Sequence, residues 1–78
     1  MKLLRVTDVK AVFGHRSTTT VYNNLNAGLL TKPILIGQRA VAWPEHEIQA
    51  IAGALVAGKT RDQIRALVTD LTARRVMA

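Results

Sequence analysis

The sequence contains no cysteine, three aromatic residues and five acidic residues among its 78 positions. Without cysteine, the chain can form no disulfide, no thiolate nucleophile and no cysteine-based metal site, which suits a reducing compartment. No apolar run approaches the roughly 20 residues that cross a bilayer, and the apolar stretch after Met1 is too short for a signal peptide. We therefore expect a cytoplasmic protein that does not associate with membranes.

The sequence offers no arrangement of residues for catalysis or metal binding. The two histidines, His15 and His46, lack the spacing of metal ligands. Glu45 and Glu47 are two residues apart, so on a helix they point to different sides and make a poor acid–base pair; we expect them to stabilise the positive end of a helix. There is no glycine-rich phosphate loop and no nucleophile–base pair. We predict a protein that is not an enzyme and needs no cofactor.

Positive charge is concentrated in one half of the chain. The net charge is +6, and residues 1–43 hold six Lys or Arg against one acid, whereas residues 44–78 hold five against four. A basic excess in one half is expected where that half meets a polyanion such as nucleic acid. The alternative is a basic surface that serves only solubility. A chain this short forms a single domain with a thin core.

The first residues predict a short helix followed by a turn. An apolar start, either a strand or a cover for the core, comes first: Leu3, Leu4 and Val6. Thr7 is a candidate N-cap, and a first helix is predicted over residues 8–13 and ended by Gly14. Its apolar residues share one face: Val9, Val12 and Phe13.

A second helix is predicted between Ser17, as N-cap, and Gly28, with Val21 and Leu25 facing the core. Its outer face is uncharged but rich in groups that donate and accept hydrogen bonds: Thr18, Thr19, Tyr22, Asn23 and Asn26. Such a face suits the edges of DNA bases, although a merely solvated helix of poor propensity fits these residues equally well. Two short helices joined by a turn outline a helix-turn-helix.

Residues 34–43 predict a two-stranded hairpin, the position of a wing after a helix-turn-helix. Its turn, Gly37-Gln38-Arg39, places Arg39 at or near the tip. There a guanidinium can enter a minor groove or grip a phosphate, or it can simply be solvated. Trp43, which ends the hairpin, is predicted to belong to the core.

Two helices are predicted after the hairpin. Pro44 suits the first position of a helix that runs to about Ala57, with one apolar stripe: Ile48, Ile51, Ala52, Leu55 and Val56. Thr60 and Gln63 form a capping-box pattern before a last helix over about residues 61–74. Its stripe is Ile64, Leu67, Val68 and Leu71. These helices either pack on each other, or the last one buries its stripe against a second copy.

The central part of the chain resembles the AlpA-type phage and prophage regulatory proteins, which belong among small winged-helix proteins related to excisionases and to the MerR-type DNA-binding domain. The residues that carry the resemblance are Ser17-Thr18-Thr19-Thr20-Val21-Tyr22, Ala27-Gly28-Leu29 through Lys32-Pro33, Ile36-Gly37-Gln38-Arg39-Ala40-Val41-Ala42-Trp43 and Glu47-Ile48. The resemblance implies a winged helix-turn-helix with its second helix in the major groove and its wing on the adjacent minor groove or backbone. It also implies either transcriptional activation of integrase genes or a role as a recombination directionality factor.

Matched by position, the resemblance implies DNA contacts from Thr18, Thr19, Tyr22 and Asn23 and a wing contact from Arg39. Members often carry arginine where this chain has Thr18 and Asn23, and their turn usually reads Gly-hydrophobe-Ser rather than Gly14-His15-Arg16. Many of the phosphate contacts must then come from cations outside this helix. The complete predicted DNA-binding set is Arg16, Ser17, Thr18, Thr19, Tyr22, Asn23, Asn26, Lys32 and Arg39.

We predict a mainly α fold with a small β-hairpin, in which a winged helix-turn-helix (1–43) is followed by a C-terminal helical hairpin (44–78), all in one DNA-binding domain. The predicted function is sequence-specific binding of double-stranded DNA, as a transcriptional regulator or excisionase of a mobile element located at the nucleoid. Expected partners are DNA, integrase or RNA polymerase, and further copies in a homodimer or an array. The alternative is a protein-interaction module using helices 44–74 without DNA binding. RNA binding is disfavoured because the outer face offers one aromatic, Tyr22.

Overall fold

Four helices and three short strands make up the chain in a computed structural model that describes residues 2–77. In order these are β1 (Leu3–Leu4), α1 (Val6–Phe13), α2 (Thr18–Asn26), β2 (Ile34–Leu35), β3 (Val41–Pro44), α3 (Glu45–Val56) and α4 (Arg61–Met77). The predicted class, mainly α with a small hairpin, is confirmed. Met1 and Ala78, which the predicted domain includes, lie outside the described residues.

The first helix begins earlier than predicted. Residue Arg5, not Thr7, is the N-cap of α1, and its backbone N–H donates to the Asp8 carboxylate over 3.0 Å. A carboxylate at this position satisfies one of the free N–H groups of the first turn, so the helix can start at Val6. Gly14 ends the helix as predicted, with φ at 69°, a left-handed conformation that glycine adopts without strain.

The predicted cap of α2 is confirmed. Ser17 has an extended backbone, and its Oγ accepts a hydrogen bond from the Thr20 N–H over 3.3 Å. Val21 is fully buried and Leu25 is half-buried, as their four-residue spacing predicts. Gly28, with φ at 78°, follows the end of the helix and turns the chain toward the sheet.

A three-stranded antiparallel sheet has β3 at its centre, with the strand order β1-β3-β2. The hairpin pairs Ile34 with Ala42, and the Ile36 N–H donates to the Ala40 carbonyl to close the tip. On its other edge β3 pairs with the apolar N-terminal residues, which are therefore a strand. Pro44 is the last residue of β3 and the N-cap of α3 rather than the first helical residue, because it pairs with Leu3.

Trp43 lies at the centre of the core. Its side chain is fully buried, and its Nε1–H donates to the Thr31 carbonyl over 2.7 Å, so the indole meets its one polar requirement inside the protein. The predicted core role of Trp43 is confirmed. The buried cluster around it draws on every helix: Leu4, Val9, Val21, Leu30, Ile48, Ile51, Ile64, Val68 and Leu71.

The predicted apolar stripe of α3 is only half correct. Ile48 and Ile51 are buried, but Leu55 is 51% exposed and Val56 is 89% exposed. The apolar Val12 of α1, also predicted to face inward, is exposed as well. The reason is the size of the core, which in a chain this short ends before α3 does.

The last helix packs within its own chain. Thr60 and Gln63 form the predicted reciprocal cap. The Thr60 N–H donates to Gln63 Oε1 over 2.9 Å, and the Gln63 N–H donates to Thr60 Oγ1 over 3.2 Å. The helix continues past the predicted end at residue 74 to Met77. Ile64, Val68 and Leu71 of its stripe join the common core, so in this structure the stripe is buried in cis.

A buried ion pair connects the end of α4 to the start of α3. Glu47 is fully buried, and Arg75 holds both of its oxygens: Nε donates to Oε2 over 2.7 Å and Nη2 donates to Oε1. Glu47 lies in the first turn of α3, as expected of a residue that favours a helix start, but its partner is 28 residues away. A buried carboxylate without such a partner would be strongly unfavourable.

Replacing Arg75→Met is expected to destabilise the protein by about 3 kcal/mol, because it leaves the Glu47 carboxylate buried and unpaired. Urea unfolding followed by circular dichroism measures this. The matched control is Arg74→Met, which breaks the exposed pair with Asp70 and should cost less than about 1 kcal/mol.

Adding Glu47→Leu to Arg75→Met should recover most of the lost stability, since no charge is then buried. Equal effects of the two arginine substitutions would contradict a structural role for the buried pair.

Candidate nucleic-acid interface

The outer face of α2 is free of contacts that would occupy its polar groups. Thr18, Thr19, Asn23 and Asn26 are exposed and make no side-chain hydrogen bond among the described residues. At 3.6 residues per turn, Thr19, Asn23 and Asn26 follow one another along one side, opposite the buried Val21. This side carries hydroxyl and amide groups without charge, a combination that can both donate to and accept from base edges.

Tyr22 lies on the flank of α2 that faces the sheet. Its ring centre is 6.5 Å from that of Trp43, at a tilt of 56°, and the side chain is 37% exposed. Tilted aromatic pairs at this separation are favourable. Tyr22 therefore fixes the helix against the sheet with its ring and leaves only part of the side chain free for a ligand.

Ser17 and Arg16 precede the helix and differ in how they are used. The Ser17 hydroxyl is already engaged in capping and lies 3.1 Å from the Thr20 hydroxyl. Arg16 is exposed in the turn and has no ion-pair partner within 4.0 Å among the described residues. Ser17 therefore shapes the start of the helix, and Arg16 provides an unpaired positive charge beside it.

The turn between α1 and α2 is fixed by His15, for which the sequence predicts no role. The His15 ring stacks on Phe13 with centres 5.5 Å apart, and its Nε2 lies 3.4 Å from Nδ2 of Asn24. The half-buried His15 thus packs where a hydrophobic residue stands in the resembled turn. The only sequence signal was its position between two short helices.

The two remaining predicted residues lie outside α2. Arg39 is exposed in the tip between β2 and β3, as predicted for a wing. Lys32 is exposed beside a groove that Leu25 and Gly28 form with α4. The structure thus gathers residues 16–26 on one helix and its start, with Lys32 near the helix end and Arg39 on the hairpin; their role in DNA binding stays a prediction.

Ion pairing in the described residues leaves most of the unpaired positive charge on the N-terminal half. The four acids after residue 44 are each paired: Glu45 with Lys2, Glu47 with Arg75, Asp62 with Arg65 and Asp70 with Arg74. Within the same described part of the chain, Arg16, Lys32 and Arg39 have no such partner. Their charges are available to an external anion.

Arg65 supports the end of α2 from the last helix. Its Nε–H donates to the Ala27 carbonyl over 3.0 Å, and its Nη1 bonds Asp62 over 3.1 Å. A cation at the carboxyl end of a helix can donate to a free carbonyl and interacts favourably with the negative end of the helix dipole. The sequence does not predict this contact, because Arg65 and Ala27 are 38 residues apart and no local pattern joins them.

Comparison with protein-family models matches residues 2–50, which is 49 of the 78 residues, to the family described as the prophage CP4-57 regulatory protein (AlpA). The matched region contains the sheet, the helix-turn-helix and the first half of α3, and α4 follows it. Neither curated proteins nor solved structures gave a match. In the described part of the chain, every helix is too short or too polar to cross a membrane.

Replacing Arg65→Met is expected to lower the free energy of unfolding by about 1 kcal/mol, because the Ala27 carbonyl loses its donor. Amide hydrogen exchange at Gly28 and Leu29, which close the end of α2, should accelerate. The control is Arg61→Met on the same helix, where no side-chain bond or ion pair is made within residues 2–77. If exchange at the two amides stayed unchanged, Arg65 would have no part in holding α2.

Proposed function

This chain belongs to the AlpA family of prophage regulatory proteins, and from that premise we propose that it binds double-stranded DNA in a sequence-specific way. In the proposed complex α2 lies in the major groove and Arg39 of the wing meets the adjacent minor groove or backbone. The observation that carries the proposal is the uncharged, hydrogen-bonding outer face of α2, which core packing and a capped start hold outward.

Base recognition is assigned to the exposed polar side of α2. Helix-turn-helix proteins use the N-terminal part of the second helix for base contacts, which favours Thr18, Thr19 and Asn23 over Asn26. Asparagine can bond an adenine edge through two hydrogen bonds, and a threonine methyl group can contact thymine. The side of α2 opposite Val21 therefore supplies selectivity.

Affinity is assigned to the cations around the helix. An uncharged helix displaces no counterions from DNA, so we assign the phosphate contacts to Arg16, Lys32 and Arg39, which have no acidic partner within 4.0 Å in residues 2–77. With few phosphate contacts, one copy binds weakly at physiological salt. Several copies side by side, as a homodimer or an array, would give the specificity that one copy lacks.

The family is a regulatory one, and we propose two roles for this member on a phage or prophage genome in the cytoplasm. As a transcriptional regulator it would recruit RNA polymerase to a promoter. As an excisionase it would bend or coat DNA beside a recombination junction and recruit integrase.

The experiment that tests the proposal is selection of bound duplexes from the whole host genome with the purified protein, followed by sequencing. A clustered, directly repeated site near a recombination junction would assign the excisionase role, and a promoter site would assign regulation. If no duplex is retained at moderate salt, the protein is an interaction module without DNA binding, which contradicts the proposal.

The substitution Arg39→Ala is expected to weaken DNA binding and to lower the slope of log K against log salt by about 0.9, because one phosphate contact is lost. Gel retardation at two or more salt concentrations measures both quantities. The control Arg74→Ala removes an arginine that is paired with Asp70 on α4, and it should change neither. If the Arg39→Ala variant kept the wild-type DNA affinity and salt dependence, the wing would not be part of the interface.

The substitution Asn23→Ala should mainly relax sequence preference, because a base contact is lost while phosphate contacts stay. We expect discrimination against the mismatched base to fall by about 1–3 kcal/mol, with little change in binding to unrelated duplexes. Competition between the selected site and its single-base variants measures this. Gln49→Ala, an exposed amide on α3, is the control. A uniform loss of affinity across all sequences would place Asn23 on a phosphate instead.

A further inference from the structure

A half-open cavity of about 290 Å³ lies where the turn between α1 and α2 meets the turn between α3 and α4. We call it the Leu55 groove; its mostly apolar walls include Phe13, His15, Leu29, Ile51, Leu55 and Ile64. This volume is at the lower end of ligand sites and matches a few inserted side chains. The groove is separate from the outer face of α2 and from the wing.

The groove is the continuation of the α3 stripe beyond the core. Leu55 is 51% exposed in its wall, and the neighbouring Val56 is 89% exposed. Leu55 is four residues from the buried Ile51 and Val56 is eight from the buried Ile48, so the stripe reaches about one turn past the residues that the fold covers. Exposed apolar side chains in this arrangement contribute little to the monomer and offer a surface for another helix.

Two cations stand at the groove without an acidic partner. Lys59 and Arg61 both line it, both are exposed, and neither is within 4.0 Å of an acid in residues 2–77. Arg61 is also the first residue of α4, where the helix dipole favours an acid over a base. Its charge is therefore slightly unfavourable at this end of the helix, and a bound anion would offset this effect.

The groove wall also contains a polar atom that the fold leaves unsatisfied. Nδ1 of His15 is buried and has no hydrogen-bond partner among the described residues. A buried polar atom without a partner is unfavourable. A bound group with a donor or acceptor would remove this cost.

The groove lies on the flank of α2 away from the wing. Successive residues of a helix are about 100° apart, so Tyr22 and Asn24 lie on opposite sides of Val21. Tyr22 faces Trp43 of the sheet, whereas Asn24 lines the groove. A partner in the groove would therefore sit beside the proposed DNA-reading face without covering Asn23, which lies opposite Val21.

We propose that the Leu55 groove binds an acidic amphipathic helix of a partner protein. Two or three apolar side chains at helical spacing would fill the groove beside Leu55, and carboxylates on either side of them would pair with Lys59 and Arg61. A second copy of this chain does not fit this description. It carries a net charge of +6 and five acids, four of which are already paired within the described residues.

The test uses the full chain, labelled with ¹⁵N, and a synthetic probe. The probe is a peptide of about 16 residues, with leucine at three positions of one helix face, glutamate at the positions beside them and alanine elsewhere, and its partner peptide has lysine in place of every glutamate. We expect the acidic peptide to bind about tenfold or more tightly than the basic one. Amide signals of Phe13, His15, Leu55 and Ile64 should shift, while those of β2 and β3 should not.

Substitutions separate the apolar and the charged parts of the site. Leu55→Glu should weaken binding of the acidic peptide about tenfold or more, and because Leu55 is half exposed the fold should tolerate it. The matched control is Leu35→Glu, the same substitution at an exposed leucine of the wing. This variant should bind the peptide with normal affinity. The double variant Lys59→Glu, Arg61→Glu should prefer the basic peptide. Thermal unfolding checks that each variant is folded.

Three results would overturn the proposal: no binding of the acidic peptide at millimolar concentration, shifts that map away from the groove, or equal affinity for both peptides. Gel retardation provides a fourth. If the double charge variant loses DNA affinity and salt dependence, Lys59 and Arg61 are phosphate contacts rather than partner contacts. The proposal does not require DNA binding, so its failure and that of the proposed function are read from different measurements.

Discussion

Burial of Trp43 is the interaction on which the arrangement of this small protein depends. A buried tryptophan removes about 200 Å² from water, worth on the order of 5 kcal/mol of transfer free energy, which is a large share of the stability of a domain this size. Trp43 sits on the central strand, bonds the Thr31 carbonyl and lies against Tyr22. One side chain therefore sets the position of the wing, the second helix and the start of α3 relative to one another.

The last helix, α4, stabilises this arrangement through two arginines. Arg75 neutralises the buried Glu47 at the beginning of α3, and Arg65 bonds the carbonyl at the end of α2. Both arginines lie beyond residue 50, where the family match ends. The matched region thus contains the whole proposed DNA-binding surface, and the residues that support it from behind belong to the part of the chain that follows.

Selectivity and affinity are divided between different residues in the proposed mode of binding. The polar side of α2 brings hydrogen-bonding groups without charge, and the cations assigned to phosphate contacts, Arg16, Lys32 and Arg39, lie near its two ends and on the wing. In this proposal a single copy would bind DNA weakly, and recruitment of other molecules would be central to the function. The Leu55 groove, with apolar walls and two unpaired cations, offers a place for such recruitment.

The sequence by itself determined the features that depend on neighbours three or four residues away. The Ser17 cap, the Thr60–Gln63 capping box, the helix end at Gly14 and the stripe of α4 were all predicted, because each is a bond or a face within one turn of the chain. Only the tertiary structure decided how far the core extends, which left Leu55 and Val56 exposed, and which distant charges meet. The pairing of Glu47 with Arg75 and of Arg65 with the end of α2 depends on which helices lie side by side, and local periodicity carries no information about that.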